Sequence, residues 1–248
     1  MLSEEALELI VQDHLAELEW VSGHGPDFAP GSGERDTWND IVLRGRLRNA
    51  VRNLNPGVPE EYLDQAIGEV ITPKSQSAIA ENRRIHQILV EGYRGIEYID
   101  HEGNIQNPTI IFLSSQPHMN DYLSLNQITV ANLDGERRFD VVCYVNGMPL
   151  AFIELKKTGA NTSIEGAHNQ LQTYVKEFGM AFRFANIVIP SDDLSAKYGT
   201  PFTPWNHFAP WNVNEDGRPV PSDNMVVAGE PVTQLDLLLD GLFNVCLL

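Results

Sequence analysis

Basic residues are scarce in this 248-residue chain: 17 lysines and arginines stand against 34 aspartates and glutamates, a formal net charge of −17 at pH 7. A protein that coats nucleic acid unaided carries a basic footprint. The composition therefore allows only a weak grip on DNA by this chain alone, with substrate delivered by partners. Much of the acid lies in the first forty residues, where Arg35 is the only lysine or arginine, and it reads as a solvated surface. The two cysteines, Cys143 and Cys246, exclude a disulfide framework and fit a reducing compartment. The seven histidines show no zinc-type spacing. There is no signal-peptide pattern and no apolar run long enough to span a bilayer, so a soluble, cytoplasmic protein with no membrane partner is expected. No G-x-x-x-x-G-K-[ST] run occurs, which excludes a phosphate-loop ATP site within the chain. Internal repeats are absent.

What is present is concentrated between Arg138 and Lys156. The run reads as two almost wholly apolar strands joined at Asn146-Gly147, and strands apolar on both faces belong inside a covered sheet. Asp140, Glu154 and Lys156 are charged exceptions, and an uncompensated charge in such a place costs several kcal/mol. A metal ion acting on a phosphodiester would explain them. Glu154 and Lys156, two apart, share a strand face. A two-residue loop at Asn146-Gly147 would set Asp140 opposite Ile153 and leave Glu154 on the other face. A three-residue loop, Val145 to Gly147 with Gly147 left-handed, or a bulge of the same effect, sets Asp140 opposite Phe152 and diagonal to Glu154. The sequence predicts one of these. The two carboxylates, with the Leu155 carbonyl as a further ligand, then suit a hard divalent cation such as Mg²⁺, for which Mn²⁺ can substitute. Lys156 would orient water or stabilise phosphoryl charge.

From Ile164 to Phe178 the apolar spacing is helical, with Gln170 and Tyr174 one turn apart at its edge. Such a pair could reach Lys156 or a nucleic-acid backbone. Further helices are predicted over residues 3–20, from Pro59 to Ile71, and over 78–92 behind Ser75 or Ser77. Strands are expected near 96–99, 109–113, 127–132 and 185–189, and Ser22 to Gly33 reads as a surface loop. Residues 201–211 read as irregular connector packed by aromatics.

Asp140, Glu154-Leu155-Lys156 and Gln170-x-x-x-Tyr174 resemble the PD-(D/E)xK nuclease signature with the Q-x-x-x-Y motif of its RecB-like branch. The wording around them, Arg138 to Val142, Val145 to Leu150 and Phe152 to Lys156, is similar to the N-terminal nuclease of type I restriction enzyme R subunits. So are Arg46-Leu47 through Pro56, Glu81 to His86, Asn126-Gln127 and Trp205 to Phe208. Phe139 stands where that family usually has proline. The resemblance implies an α/β fold with a restriction-endonuclease-like core, its mixed central sheet flanked by helices. It implies an N-terminal helical extension over 1–75, a nuclease core over 76–192, and a connector over 193–248 leading to an ATP-driven DNA translocase outside this chain. The apolar run from Leu235 to Phe243, read as a helix without cap or partner, fits a fragment cut before that motor. The expected activity is metal-dependent endonucleolysis of double-stranded DNA beside methyltransferase and specificity subunits, with ATP used only by the motor. Asp140, Glu154 and the Leu155 carbonyl would hold the metal. Glu81, on the helix before the sheet, is a further candidate contact, because related nucleases place an acid or histidine there. Gln170 and Tyr174 would support Lys156 and the scissile strand. A RecB-like repair nuclease and a non-catalytic docking module of the same fold are the alternatives.

Overall fold

The computed structural model describes residues 3–133, 135–157, 163–192, 194–214, 216–221, 225–227 and 229–245. Cys246 lies outside them; Cys143 is buried and unpaired.

The chain opens with helix α1, Glu4–Glu17, capped by the Ser3 hydroxyl, which accepts from the Ala6 N–H at 3.1 Å. Its buried stripe is Leu7, Val11 and Leu15. Strand β1, Val21–His24, follows. Ser22 to His24 read from sequence as loop because the segment is short, contains glycine and is mostly exposed; it becomes part of a strand by pairing in parallel with a longer neighbour. Helices α2 (Arg44–Leu54), α3 (Glu60–Ile71) and α4 (Ala78–Glu91) come next, α4 capped by Ser77. A small hairpin, β2 (Tyr98–Ile99) with β3 (Ile105–Gln106), precedes the main strands. Residues 109–113 do not form the expected strand and contribute only a bridge between Ile110 and Tyr93.

Strands β4 (Tyr122–Asn132), β5 (Gly135–Val145) and β6 (Met148–Leu155) run antiparallel in sequence. Helix α5, Ile164–Glu177, then crosses to β7, Ile187–Ser191, parallel to β6. The sheet order is β1-β4-β5-β6-β7, a mixed α/β sheet. Every residue of β6 is buried, as its unbroken apolar run requires.

A short strand pair, β8 (Val226–Val227) with β9 (Glu230–Pro231), leads to α6, Gln234–Leu242. Contrary to the sequence reading, α6 has both cap and partner. Thr233 and Asp236 form a capping box, and Leu235, Leu238 and Leu239 are buried. His14 of α1 holds Asp240 at 2.6 Å, and the Trp20 ring packs at a tilt against Phe243, with centroids 5.6 Å apart. No described helix is long and apolar enough to cross a membrane.

Candidate active site

The β5–β6 hairpin turns at Asn146 (φ 52°) and Gly147 (φ 76°), two left-handed residues in succession. This is the two-residue turn whose twist matches paired strands, and Val145 pairs with Met148. The three-residue loop is thus not formed. The register shifts instead between Cys143 and Tyr144: Tyr144 faces Pro149, but Cys143 faces Ala151, leaving Leu150 as an extra residue on β6. That bulge restores the face. Continued past Val141 and Ile153, the register sets Asp140 directly across from Glu154, where sequence reasoning had it diagonal.

The three charged groups meet there. Asp140 Oδ2 accepts from the Leu155 N–H at 2.8 Å. The Lys156 ammonium donates to Glu154 Oε1 at 3.0 Å and to the Leu155 carbonyl at 3.3 Å, and lies 3.9 Å from Glu4. Glu154 is 1 % exposed. Burial, and then the Asp140 carboxylate, push it up to about 8, against the pull of Lys156. Asp140 is raised by burial as well. Burial opposes the charge on Lys156, yet Glu154, Asp140 and Glu4 together hold it above the usual lysine range. Gln170 and Tyr174 face each other in a short hydrogen bond, and with Glu4, Asp140 and Lys156 they line a cleft of about 530 Å³. A larger cleft, about 780 Å³, lies among Asp40, Arg44 and Arg183. Asp40 is committed there to Thr37 and Arg44, so it offers no comparable unpaired acid.

Glu81 does not join this group, which corrects the expectation that it contacts a metal. Its carboxylate accepts from Arg84 at 2.7 Å and from the Lys74 N–H at 3.1 Å. Against burial, these bonds hold it below the usual carboxylate range, as a structural ion pair. The acids that sequence reasoning missed are on α1. Glu4 lines the cleft, and Glu8, one turn on, is buried beside Asn126. Burial pushes Glu8 up to about 7, and Asp140 adds to the shift while Gln127 opposes it. Gln127 is itself left-handed, φ 52°, a strained setting for a residue with a side chain. The available signal was two glutamates four apart beside the stripe of Leu7, Val11 and Leu15. Among the described residues, no three His, Cys, Asp or Glu side chains converge as a ready-made metal cage.

The raised carboxylates fix the sign of a pH effect. A group with its folded value above its unfolded one stabilises fully below the unfolded value, and that stability is lost as pH rises through the folded one. For Glu154 the window is about 4.5 to 8, and the loss is on the order of a few kcal/mol. Without divalent metal, Glu154→Gln should flatten the fall in melting temperature between pH 5 and pH 8, and melt roughly 5 °C above the parent at pH 8. Melting curves in chelator check this; parallel pH slopes for the two proteins would show that Glu154 carries no buried charge.

A model of the family described as type I restriction enzyme R protein N terminus matches residues 1–207. The chain belongs to that family. It is 27 % identical over 241 residues to a putative type I restriction enzyme MjaIXP endonuclease subunit of Methanocaldococcus jannaschii, covering 93 % of this chain and 23 % of that protein. To the type I restriction enzyme HindI endonuclease subunit of Haemophilus influenzae it is 28 % identical over 222 residues, 87 % of this chain and 21 % of that one. To the EcoprrI endonuclease subunit of Escherichia coli it is 29 % identical over 170 residues, 64 % of this chain and 50 % of that one. The R-protein N terminus seen here thus spans less than a quarter of the first two relatives. The matched range holds the whole Asp140, Glu154, Lys156, Gln170 and Tyr174 group, and α1 as well.

Proposed function

We propose that this chain is a PD-(D/E)xK endonuclease module that hydrolyses phosphodiester bonds of double-stranded DNA with Mg²⁺ or Mn²⁺. It works in the cytoplasm, coupled to an ATP-driven translocase and to methyltransferase and specificity subunits of a type I restriction complex. The relatives' names as endonuclease subunits support the class of activity. The succession of α4, the small β2–β3 hairpin and then β4-β5-β6-α5-β7, with the acids at the β5–β6 hairpin, supports the nuclease core.

One observation carries the reading. Glu154 is almost fully buried, with Asp140 acting on it and, among the described residues, only the Lys156 ammonium in contact with it, so its immediate surroundings are short of positive charge. A divalent cation fits that deficit. Asp140 and Glu154 would hold it, as two carboxylates leave room for the waters and phosphate oxygens that Mg²⁺ retains. The Leu155 carbonyl, which now accepts from Lys156, becomes available if the ammonium turns toward substrate. The metal would supply Lewis-acid polarisation of the scissile phosphate. Lys156, half-buried and firmly charged, holds the attacking water or the developing phosphoryl charge. Gln170 and Tyr174, tied to each other, position the lysine and the strand being cut.

Because Glu154 is raised to about 8, metal binding near neutrality must expel a proton. Calorimetric titration of Mn²⁺ at pH 7 should therefore give a heat that varies with the ionisation enthalpy of the buffer. The heat should vanish in Asp140→Ala, and nicking of supercoiled DNA should require the same metal. Mn²⁺ heats equal in parent and Asp140→Ala would remove this site from consideration.

A further inference from the structure

Strands β4 and β5 run on past the rest of the sheet. β1 pairs with β4 only over Leu123–Asn126, and β6 pairs with β5 only over Val141–Val145. β4 and β5 remain paired through Ile128 with Phe139, Thr129 with Arg138, Val130 with Arg137, Ala131 with Glu136 and Asn132 with Gly135. The result is a two-stranded ribbon of five residue pairs, roughly 17 Å long. It is braced on both sides: the Ala131 N–H donates to the Trp38 carbonyl at 2.9 Å, and Arg137 pairs with Glu177 at 2.7 Å. Thr129, Glu136 and Arg138 line the same cleft as Asp140 and Lys156.

The chain's cations are mostly spent on its own acids. All four arginines of α2 are paired: Arg44 with Asp40, Arg46 with Asp121, Arg48 with Asp64 and Arg52 with Glu60. Lys156 is held by Glu154. Arg138 is different, being exposed and without an ion pair among the described residues, while its field reaches Asp140 and Glu8.

We infer that the β4–β5 ribbon guides duplex DNA into the cleft, with Arg138 holding a backbone phosphate next to the bond addressed by Asp140 and Lys156. This rests on the nuclease reading above. Ile128, Val130 and Phe139 bury one face of the ribbon, and the other, carrying Thr129, Glu136 and Arg138, is the face a major groove about 12 Å wide admits. Arg138 stands about 6.6 Å along the strand from Asp140, close to two nucleotide steps of about 3.4 Å each. Leu133, wholly exposed at the ribbon's end, presents an apolar tip to the groove. Glu136 on the same cleft repels phosphate and keeps the grip weak, in line with the net charge of −17.

The test is anisotropy of a labelled duplex of about 25 base pairs with the whole chain, at low salt and with Ca²⁺ in place of Mg²⁺. Arg138→Ala should raise Kd about tenfold and lower the slope of log Kd against log salt by about one. Glu136→Gln should tighten binding, and Arg83→Ala, an equally unpaired arginine on α4 away from the cleft, should leave Kd unchanged. Three results each overturn the inference: no duplex binding by the parent chain, Arg138→Ala within twofold of it, or an equal loss from Arg83→Ala. If Lys156→Ala stops cleavage while Arg138→Ala binds normally, the ribbon assignment fails and the nuclease reading stands. If Lys156→Ala cuts normally while Arg138→Ala binds weakly, the role of Lys156 in the nuclease reading fails and the phosphate contact of Arg138 alone stands.

Discussion

Lys156→Ala is expected to lower metal-dependent DNA cleavage by about 10²–10³-fold, the usual cost of removing one preorganised charge from a transition state. Among the described residues the ammonium is the cation that contacts Glu154, at 3.0 Å, and Asp140 and Glu4 also act on it. Its loss has a second consequence, because Lys156 lowers the pKa of Glu154. Without it the carboxyl rises further, so metal saturation in the variant should need a more alkaline solution. Single-turnover cleavage at saturating Mg²⁺, followed from pH 7 to pH 9, separates the two effects. A rate deficit that persists at pH 9 belongs to the transition state, whereas one that disappears belongs to metal loading. Lys156→Arg should not rescue, since a planar fork replaces a compact charge. Wild-type cleavage by Lys156→Ala across that range would end the role assigned to this lysine. The measurement applies to the chain and to any longer subunit that carries it.

Gly147→Ala should cost about 2–5 kcal/mol of stability and lower the melting temperature by roughly 10 °C. Gly147 has φ 76°, and a Cβ there would lie 2.4 Å from the Leu43 carbonyl oxygen and 2.7 Å from the Leu47 nitrogen. Left-handed strain alone accounts for about 1–2 kcal/mol. The clash is with backbone at the start of α2, where Leu43 N–H donates to the Gly147 carbonyl at 2.9 Å, and overpacking adds about 1–3 kcal/mol. Gly57 is the internal control. It has φ 87° with nothing near its absent Cβ, so Gly57→Ala should lose only the strain. Equal melting temperatures for the two variants would show that the hairpin tip is not wedged against α2. The adjoining Asn146 is wholly buried, donating to the Phe112 carbonyl and accepting from the Asp121 N–H. The same turn therefore sets the hairpin register and ties it to the helical layer, so loosening it should also displace Glu154.

Helices α3, α4 and α5 were legible because each has a cap or proline at its start and an apolar stripe of helical period, features that lie within one segment. The central hairpin was legible for a similar reason, as unbroken apolar strands around Asn146-Gly147 have few other folds. The grouping of Asp140, Glu154 and Lys156 followed from strand alternation, with only the turn's length in doubt. The bulge at Leu150 left no local mark; it arises where a tight turn and a buried face demand different registers. β1 was missed because four mostly exposed residues, one of them glycine, acquire strand geometry only from a longer neighbour. Glu81 was placed at the site because its helix precedes the sheet, but Arg84, three residues on, takes its charge.

Periodicity, capping and turn chemistry act over a few residues, so composition and spacing were enough for the α/β class, the main helices and the acids and lysine of the hairpin. Which glutamates join them is a question of distance between segments remote in the chain. α1 brings Glu4 and Glu8 to strands more than a hundred residues away because Leu7, Val11 and Leu15 must bury against the sheet. Nothing near those glutamates in sequence records where that apolar stripe will come to rest.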